Sequence, residues 1–211
     1  MIKTYKILSL CLSYPNTDLQ LFLSEVENEL QKEALLNSQK IEEVCSFVHH
    51  FKNMELTDWQ AQYVQLFDNS RSASLHLFEH IKSDSKDRGQ AMVDLLEFYK
   101  ENGMELSANE LPDYLPVFLE FLSTQQPQKA AELLSEPIHV IDRINKALAE
   151  KQNPYSDIFS AIISLSSKQP DKKATENIIK NEKPLDLDAE YEEEPIEFGV
   201  GNSCNYGKLS K

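Results

Sequence analysis

Glycine is scarce: of five in 211 residues, only Gly89 and Gly103 precede position 198. A glycine-rich phosphate cradle is thereby excluded, and a β architecture built on tight turns is disfavoured, because both need backbone that only glycine adopts freely. Cysteine is nearly absent as well. Cys11, Cys45 and Cys204 lie far apart with no Cys-x-x-Cys pair, so neither a disulfide framework nor a thiolate zinc site is indicated. Arginine occurs only at positions 71, 88 and 143, and 21 basic residues face 35 acidic ones, a formal charge of -14. Such a balance repels nucleic acid and anionic membrane surfaces. No apolar run approaches the roughly 20 residues that cross a bilayer. Met1 to Tyr14 interleaves Lys3 and Lys6 with apolar residues and has no small-residue cleavage site, so it is expected to be a first helix retained in the cytoplasm.

What is present has helical spacing. Leu19, Phe22, Leu23, Val26 and Leu30 recur at three and four residues after Thr17, and Ile41, Val44, Phe47, Val48 and Phe51 do so after Ser38; each set predicts one buried helix face behind a capping residue. Thr57-Asp-Trp-Gln60 and Ser107-Ala-Asn-Glu110 match the capping box and predict two further helix starts. Met92, Leu95, Leu96 and Tyr99 continue to Gly103, a residue suited to a left-handed helix end. Pro127, Pro137 and Pro154 stand just before apolar periodic segments, where proline suits a first helical turn. The expectation is an all-α fold: one compact domain of roughly eight to ten helices over residues 1–167, then a flexible acidic tail over 168–211. Between Asp186 and Glu197 the tail carries seven acids and no base, a composition that favours solvation over packing.

Two readings compete for His76-Leu-Phe-Glu-His80. It matches the inverted zinc-hydrolase motif, in which two histidines one helical turn apart hold a metal and Glu79 acts as base. The same pattern serves a binding groove in which His76 and His80 share one helix face with polar neighbours. No third metal ligand is picked out by spacing. The Trp59, Tyr63, Leu66, Phe67 stripe reads as core at Leu66 and Phe67, whereas Tyr63 and Tyr114 combine an apolar ring with a polar tip and suit a groove wall. Arg88, between Asp87 and Gly89, suits either a loop anchor or an acidic group on a partner. Cys11 sits in an apolar helix and reads as a packing atom.

Blocks in consistent order carry a family likeness: Leu8-Ser-Leu-Cys-Leu-Ser-Tyr-Pro15, Tyr63-Val-Gln-Leu-Phe67, Ser74-Leu-His-Leu-Phe-Glu-His80, Asp87-Arg-Gly-Gln-Ala-Met-Val-Asp-Leu-Leu96, and Glu110-Leu-Pro-Asp-Tyr-Leu-Pro116 with Phe118-Leu-Glu-Phe-Leu122. Across them the chain resembles the assembly chaperones of respiratory nitrate reductase, also called its delta subunit, within the wider all-helical family of redox-enzyme maturation chaperones. Trp59 stands where that wider family commonly has an acid, and Ser74 where it has proline. The resemblance implies a cytoplasmic chaperone without enzymatic activity or a cofactor of its own. It implies that the N-terminal peptide of the apo catalytic α subunit is bound, that the subunit stays competent for molybdenum cofactor insertion, and that the chaperone leaves before the enzyme is complete. Contact with the cofactor insertion machinery is implied as well. The residues expected to contact the client are Tyr63, His76, His80, Arg88, Asp113, Tyr114 and Phe118.

Overall fold

The computed structural model describes residues 1–81, 85–107 and 110–181. Among them are eleven α-helices and no strand, as glycine scarcity and apolar periodicity anticipate. They are α1 (Lys3–Cys11), α2 (Thr17–Phe22), α3 (Val26–Glu33), α4 (Ser38–Lys52), α5 (Leu56–Tyr63), α6 (Ser85–Glu101), α7 (Leu115–Thr124), α8 (Pro127–Leu134), α9 (Ile138–Glu150), α10 (Tyr155–Ser164) and α11 (Lys172–Asn181). A π-helical turn, Val64–Asp68, continues α5, and two 3-10 turns, Arg71–Ala73 and Leu77–His80, follow it.

Burial decides the packing order. α7 is apolar almost all round and buries eight of its ten residues, so it lies inside, along α1. α10 lies between α4 and α9. Where α4, α5 and α10 meet lies an aromatic cluster: Trp59 stacks on Phe51 at 5.0 Å and 20°, and its indole Nε1 donates to the Tyr155 hydroxyl at 2.9 Å. Tyr155 also meets Phe47 at 5.0 Å and Phe67 at 4.8 Å, edge to face. Trp59, Leu66 and Phe67 are all buried. Trp59 therefore replaces the acid of the wider family with a core anchor.

Several helix starts differ from expectation. The side chains of Asn16 and Asn37, one residue before Thr17 and Ser38, accept from Leu19 N at 2.8 Å and Lys40 N at 2.9 Å. Asparagine caps as well as serine or threonine, so the hydroxyl was a neighbour of the true cap. α5 starts at Leu56, which puts Thr57 inside the helix, and Gln60 donates to the Pro15 carbonyl at 2.8 Å instead of back to a cap. The Ser107 hydroxyl does meet Glu110 Oε2 at 2.9 Å, yet the next described helix begins only at Leu115. The single stripe from Leu19 to Leu30 is cut by a turn at Leu23–Glu25, yet Leu19, Leu23, Val26 and Leu30 all remain buried. Helix α1 has no cap of its own. Glu33 at the end of α3 supplies one, accepting from Lys3 N at 2.8 Å and Thr4 N at 2.6 Å.

Gly103 takes φ +86 just beyond α6, the left-handed helix end anticipated for it. The stretch from Lys168, expected as tail, opens instead with α11. Thr175 is fully buried and donates to Asp142 Oδ2 on α9 at 2.8 Å, and Ile178 packs against the core, anchors that charge-based reading of Lys172 and Lys173 passes over. The acidic run Asp186–Glu197 and Cys204 lie outside the described residues. No described helix is long and apolar enough to cross a membrane.

Candidate functional site

Two chain segments far apart in sequence are clasped together. Leu77 N donates to the Asp113 carbonyl at 3.0 Å and Leu115 N to the Leu75 carbonyl at 2.8 Å, which makes an isolated antiparallel bridge between His76 and Tyr114. The turn before α7 leaves the Asp113 carbonyl and the amide of Leu115, the first residue of the helix, without helical partners and therefore available to pair across the bridge. The side chains repeat the pairing. The His76 and Tyr114 rings lie 5.2 Å apart, tilted by 31°. Asp113, fully buried, places Oδ1 3.2 Å from His76 Nδ1 and accepts through Oδ2 from Phe78 N at 3.2 Å. A buried carboxyl needs such partners to offset desolvation.

Beneath the clasp, Tyr63 donates from its hydroxyl to the Leu12 carbonyl at 2.8 Å and meets the Tyr114 hydroxyl at 2.9 Å. Burial, then the Tyr114 phenol beside it, pushes the Tyr63 hydroxyl far above the ordinary phenol range. Tyr114 is raised too, by burial and against the hydrogen bond to Tyr63. The π-helical turn after Tyr63, closed by Asn69 N to the Val64 carbonyl at 3.1 Å, aims Leu66 and Phe67 inward and returns the chain toward the clasp.

The His-x-x-Glu-His segment is not one face of an α-helix. His76 precedes the 3-10 turn Leu77–His80, and in a three-residue turn positions four apart point in different directions. His76 faces Asp113, whereas His80 is buried with Nε2 2.9 Å from the Ser74 carbonyl. Glu79 accepts from Arg88 Nη2 at 3.2 Å. The shared helix face expected for the two histidines is therefore corrected. Among the described residues no group of three or more His, Cys, Asp or Glu is arranged to hold a metal ion. Ser74, in the position of the wider family's proline, contributes its carbonyl to His80 and its hydroxyl to His76 N at 3.2 Å.

The structure thus sorts the seven candidate residues by depth. His76, Arg88 and Tyr114 are partly exposed; Tyr63, His80 and Phe118 are buried at 3%, 7% and 7% exposure, and Asp113 at 0%. Asp113 holds His76 and Tyr63 holds Tyr114 from below. Phe118 also holds the start of α7, its N donating to the Tyr114 carbonyl at 3.1 Å.

Arg143 belongs to this support and sequence reading missed it. Buried on α9, it donates from Nη1 to the Ser72 carbonyl at 3.3 Å and so ties down the segment that leads into His76. The available signal was Asp142-Arg143 inside the apolar stripe Val140, Ile141, Ile144, Leu148: charges in a core-facing stripe are retained only with partners. Next in sequence to the two clasped segments, Ile81 and Leu111 are exposed apolar residues, as are Val93 and Leu96 on α6.

Comparison with known proteins places this arrangement in context. The profile of the family described as "Nitrate reductase delta subunit" matches residues 27–161. The chain is 34% identical over 202 residues to the "Nitrate reductase molybdenum cofactor assembly chaperone NarJ" of Escherichia coli K12, covering 94% of this chain and 86% of that protein. It is 34% identical over 213 residues to the "Probable nitrate reductase molybdenum cofactor assembly chaperone NarW" of the same strain, covering 98% and 89%. Among solved structures, a redox enzyme maturation protein from Archaeoglobus fulgidus superposes with a TM-score of 0.54 at 23% identity, covering 75% of this chain and 88% of that one. That likeness concerns the fold.

Proposed function

Because the chain belongs to the nitrate reductase delta subunit family, we propose that it is a chaperone of nitrate reductase assembly that holds the N-terminal peptide of the apo catalytic α subunit. In this reading it keeps the subunit open to molybdenum cofactor insertion in the cytoplasm, carries out no chemistry itself, and is absent from the finished enzyme. The observation that supports it is the clasp: two partly exposed rings, His76 and Tyr114, fixed from beneath by buried Asp113 and Tyr63. A rigid aromatic-polar surface of this kind binds a peptide with little side-chain entropy to lose.

The magnitudes suit temporary holding. Three or four apolar anchors at about 1.5–3 kcal/mol each, about 5–12 kcal/mol together, less about 4 kcal/mol or more for association and ordering, leave at most about 8 kcal/mol, a dissociation constant of about micromolar or weaker. Calorimetric titration of the full chain with a peptide of the first twenty residues of the cognate α subunit tests the proposal. Saturable heat with one site per chain is expected. No heat, together with no spectral change in a labelled peptide, counts against it. Co-purification adds a second check: the cofactor-free α subunit should be captured in preference to the loaded one.

A further inference from the structure

The hydrogen bonds at the clasp run in one direction, and that direction states what a partner must bring. Tyr63 has one hydroxyl hydrogen, and among the described residues its hydroxyl is what reaches the buried Leu12 carbonyl, at 2.8 Å. The hydrogen is spent there. The 2.9 Å contact between the two phenols must then be donated by Tyr114 into the Tyr63 oxygen, which leaves the oxygen of partly buried Tyr114 with lone pairs and no hydrogen to offer. His76 repeats the pattern. Its Nδ1 faces the Asp113 carboxylate at 3.2 Å; a carboxylate only accepts, so Nδ1 carries the proton, and in the neutral ring Nε2 on the opposite edge is a bare acceptor. Asp68, exposed at the end of the π-helical turn, lies close enough for its charge to raise the Tyr114 phenol. Arg88, the cationic side chain among the candidate residues, donates to Glu79.

We infer that the mouth of the clasp selects a cationic N–H donor on the client, received by Tyr114 Oη, His76 Nε2 and Asp68. This rests on the client-binding reading above and adds which chemical group of the client is gripped. The donor is either a lysine or arginine side chain or the free α-amino group of the peptide. A net charge of -14 draws any of these toward the surface. A carboxylate, which can only accept, would meet three acceptors and is rejected.

The test is titration of the full chain at pH 8 and low salt with the twenty-residue α-subunit peptide, the same peptide acetylated at its α-amino group, and versions with each lysine or arginine replaced by norleucine. One neutralised peptide should bind about tenfold more weakly, the loss typical of a hydrogen bond to a charged group; acetylation identifies the amino group as the donor, norleucine a side chain. Tyr114→Phe, which keeps the ring, should lose about tenfold toward the unmodified peptide and nothing further toward that neutralised one. Asp68→Asn, an exposed change that leaves the core alone, should show the same dependence on the neutralised group. If the unmodified peptide binds and every neutralised peptide binds as well, or if protein and peptide changes lower affinity independently, the inference is wrong and the client-binding reading stands. If no peptide binds, that reading falls and this inference with it.

Discussion

Removing one oxygen atom, by Tyr63→Phe, separates the buried support of the clasp from its exposed surface. The ring contacts survive, edge to face with Tyr14 at 5.6 Å and tilted on Phe67 at 4.8 Å, so no cavity is created. What is lost is the donor to the Leu12 carbonyl, in a residue with 0% exposure. Stranding a buried acceptor costs about 1–3 kcal/mol, whereas the second bond, to partly exposed Tyr114, is replaceable by water and contributes about zero. The expected loss is about 2 kcal/mol. For a folded body of this size that lowers the melting temperature by about 4–8 °C, and it moves the urea midpoint by about 0.7–1 M if the slope is about 2–3 kcal/mol per molar and unchanged. Tyr114→Phe is the internal control and should stay within about 0.5 kcal/mol. Denaturation followed by far-ultraviolet circular dichroism decides the matter. A Tyr63→Phe protein as stable as the parent, or a Tyr114→Phe protein that loses as much, would refute the assigned direction of the hydrogen bonds.

Glu33→Gln tests the borrowed cap of α1. Burial raises the Glu33 carboxyl, but hydrogen bonds from Thr4 and Lys3 outweigh it and hold the group below the ordinary carboxylate value. A folded-state value lowered in this way contributes stability above the unfolded value, near 4.5, and loses it as pH falls through the folded one. The substitution should cost about 0.5–1 kcal/mol at pH 7 after solvent screening, with urea midpoints of the two proteins converging as the pH is lowered below 4.5; a gap that persists there sinks the idea. Trp59→Ala should cost about 3–5 kcal/mol, because a fully buried indole stacked on Phe51 leaves a cavity and a stranded Tyr155 hydroxyl; a loss under about 1 kcal/mol by calorimetry contradicts that packing. Iodoacetamide at pH 8 should alkylate Cys45 in the native protein and spare Cys11, which burial holds at a thiol pKa of about 12. Peptide mass mapping that finds Cys11 modified without denaturant would contradict its enclosure.

Much of the helical body was legible because its signals are local. The stripe from Ile41 to Phe51 forms α4 with Val44, Phe47, Val48 and Phe51 buried, and Gly103 ends α6 as a left-handed residue. The misplaced starts at Thr57 and Ser107 share a cause: a capping box specifies two side chains that can meet, and Ser107 with Glu110 shows that they can meet without a helix following. For the clasp, sequence order supplied the participants and not their depth. His76 and His80, four residues apart, were expected on a common face, yet one turns to Asp113 and the other to Ser74. The 3-10 turn that separates them has no distinct apolar period to read. Arg143 was invisible as a site residue, since its partner Ser72 is 71 residues away.

The chain's own composition and periodicity therefore determine that it is helical, acidic and glycine-poor, and its ordered blocks determine the family, since these are properties of neighbours within a few residues. Tertiary structure alone decides that Tyr114 is braced by Tyr63 from 51 positions away, that Asp113 is sealed beneath His76, and that α11 belongs to the body through Thr175. Each of these depends on which groups folding removes from water, and a polar side chain gives no sign of that until the helices that cover it have closed.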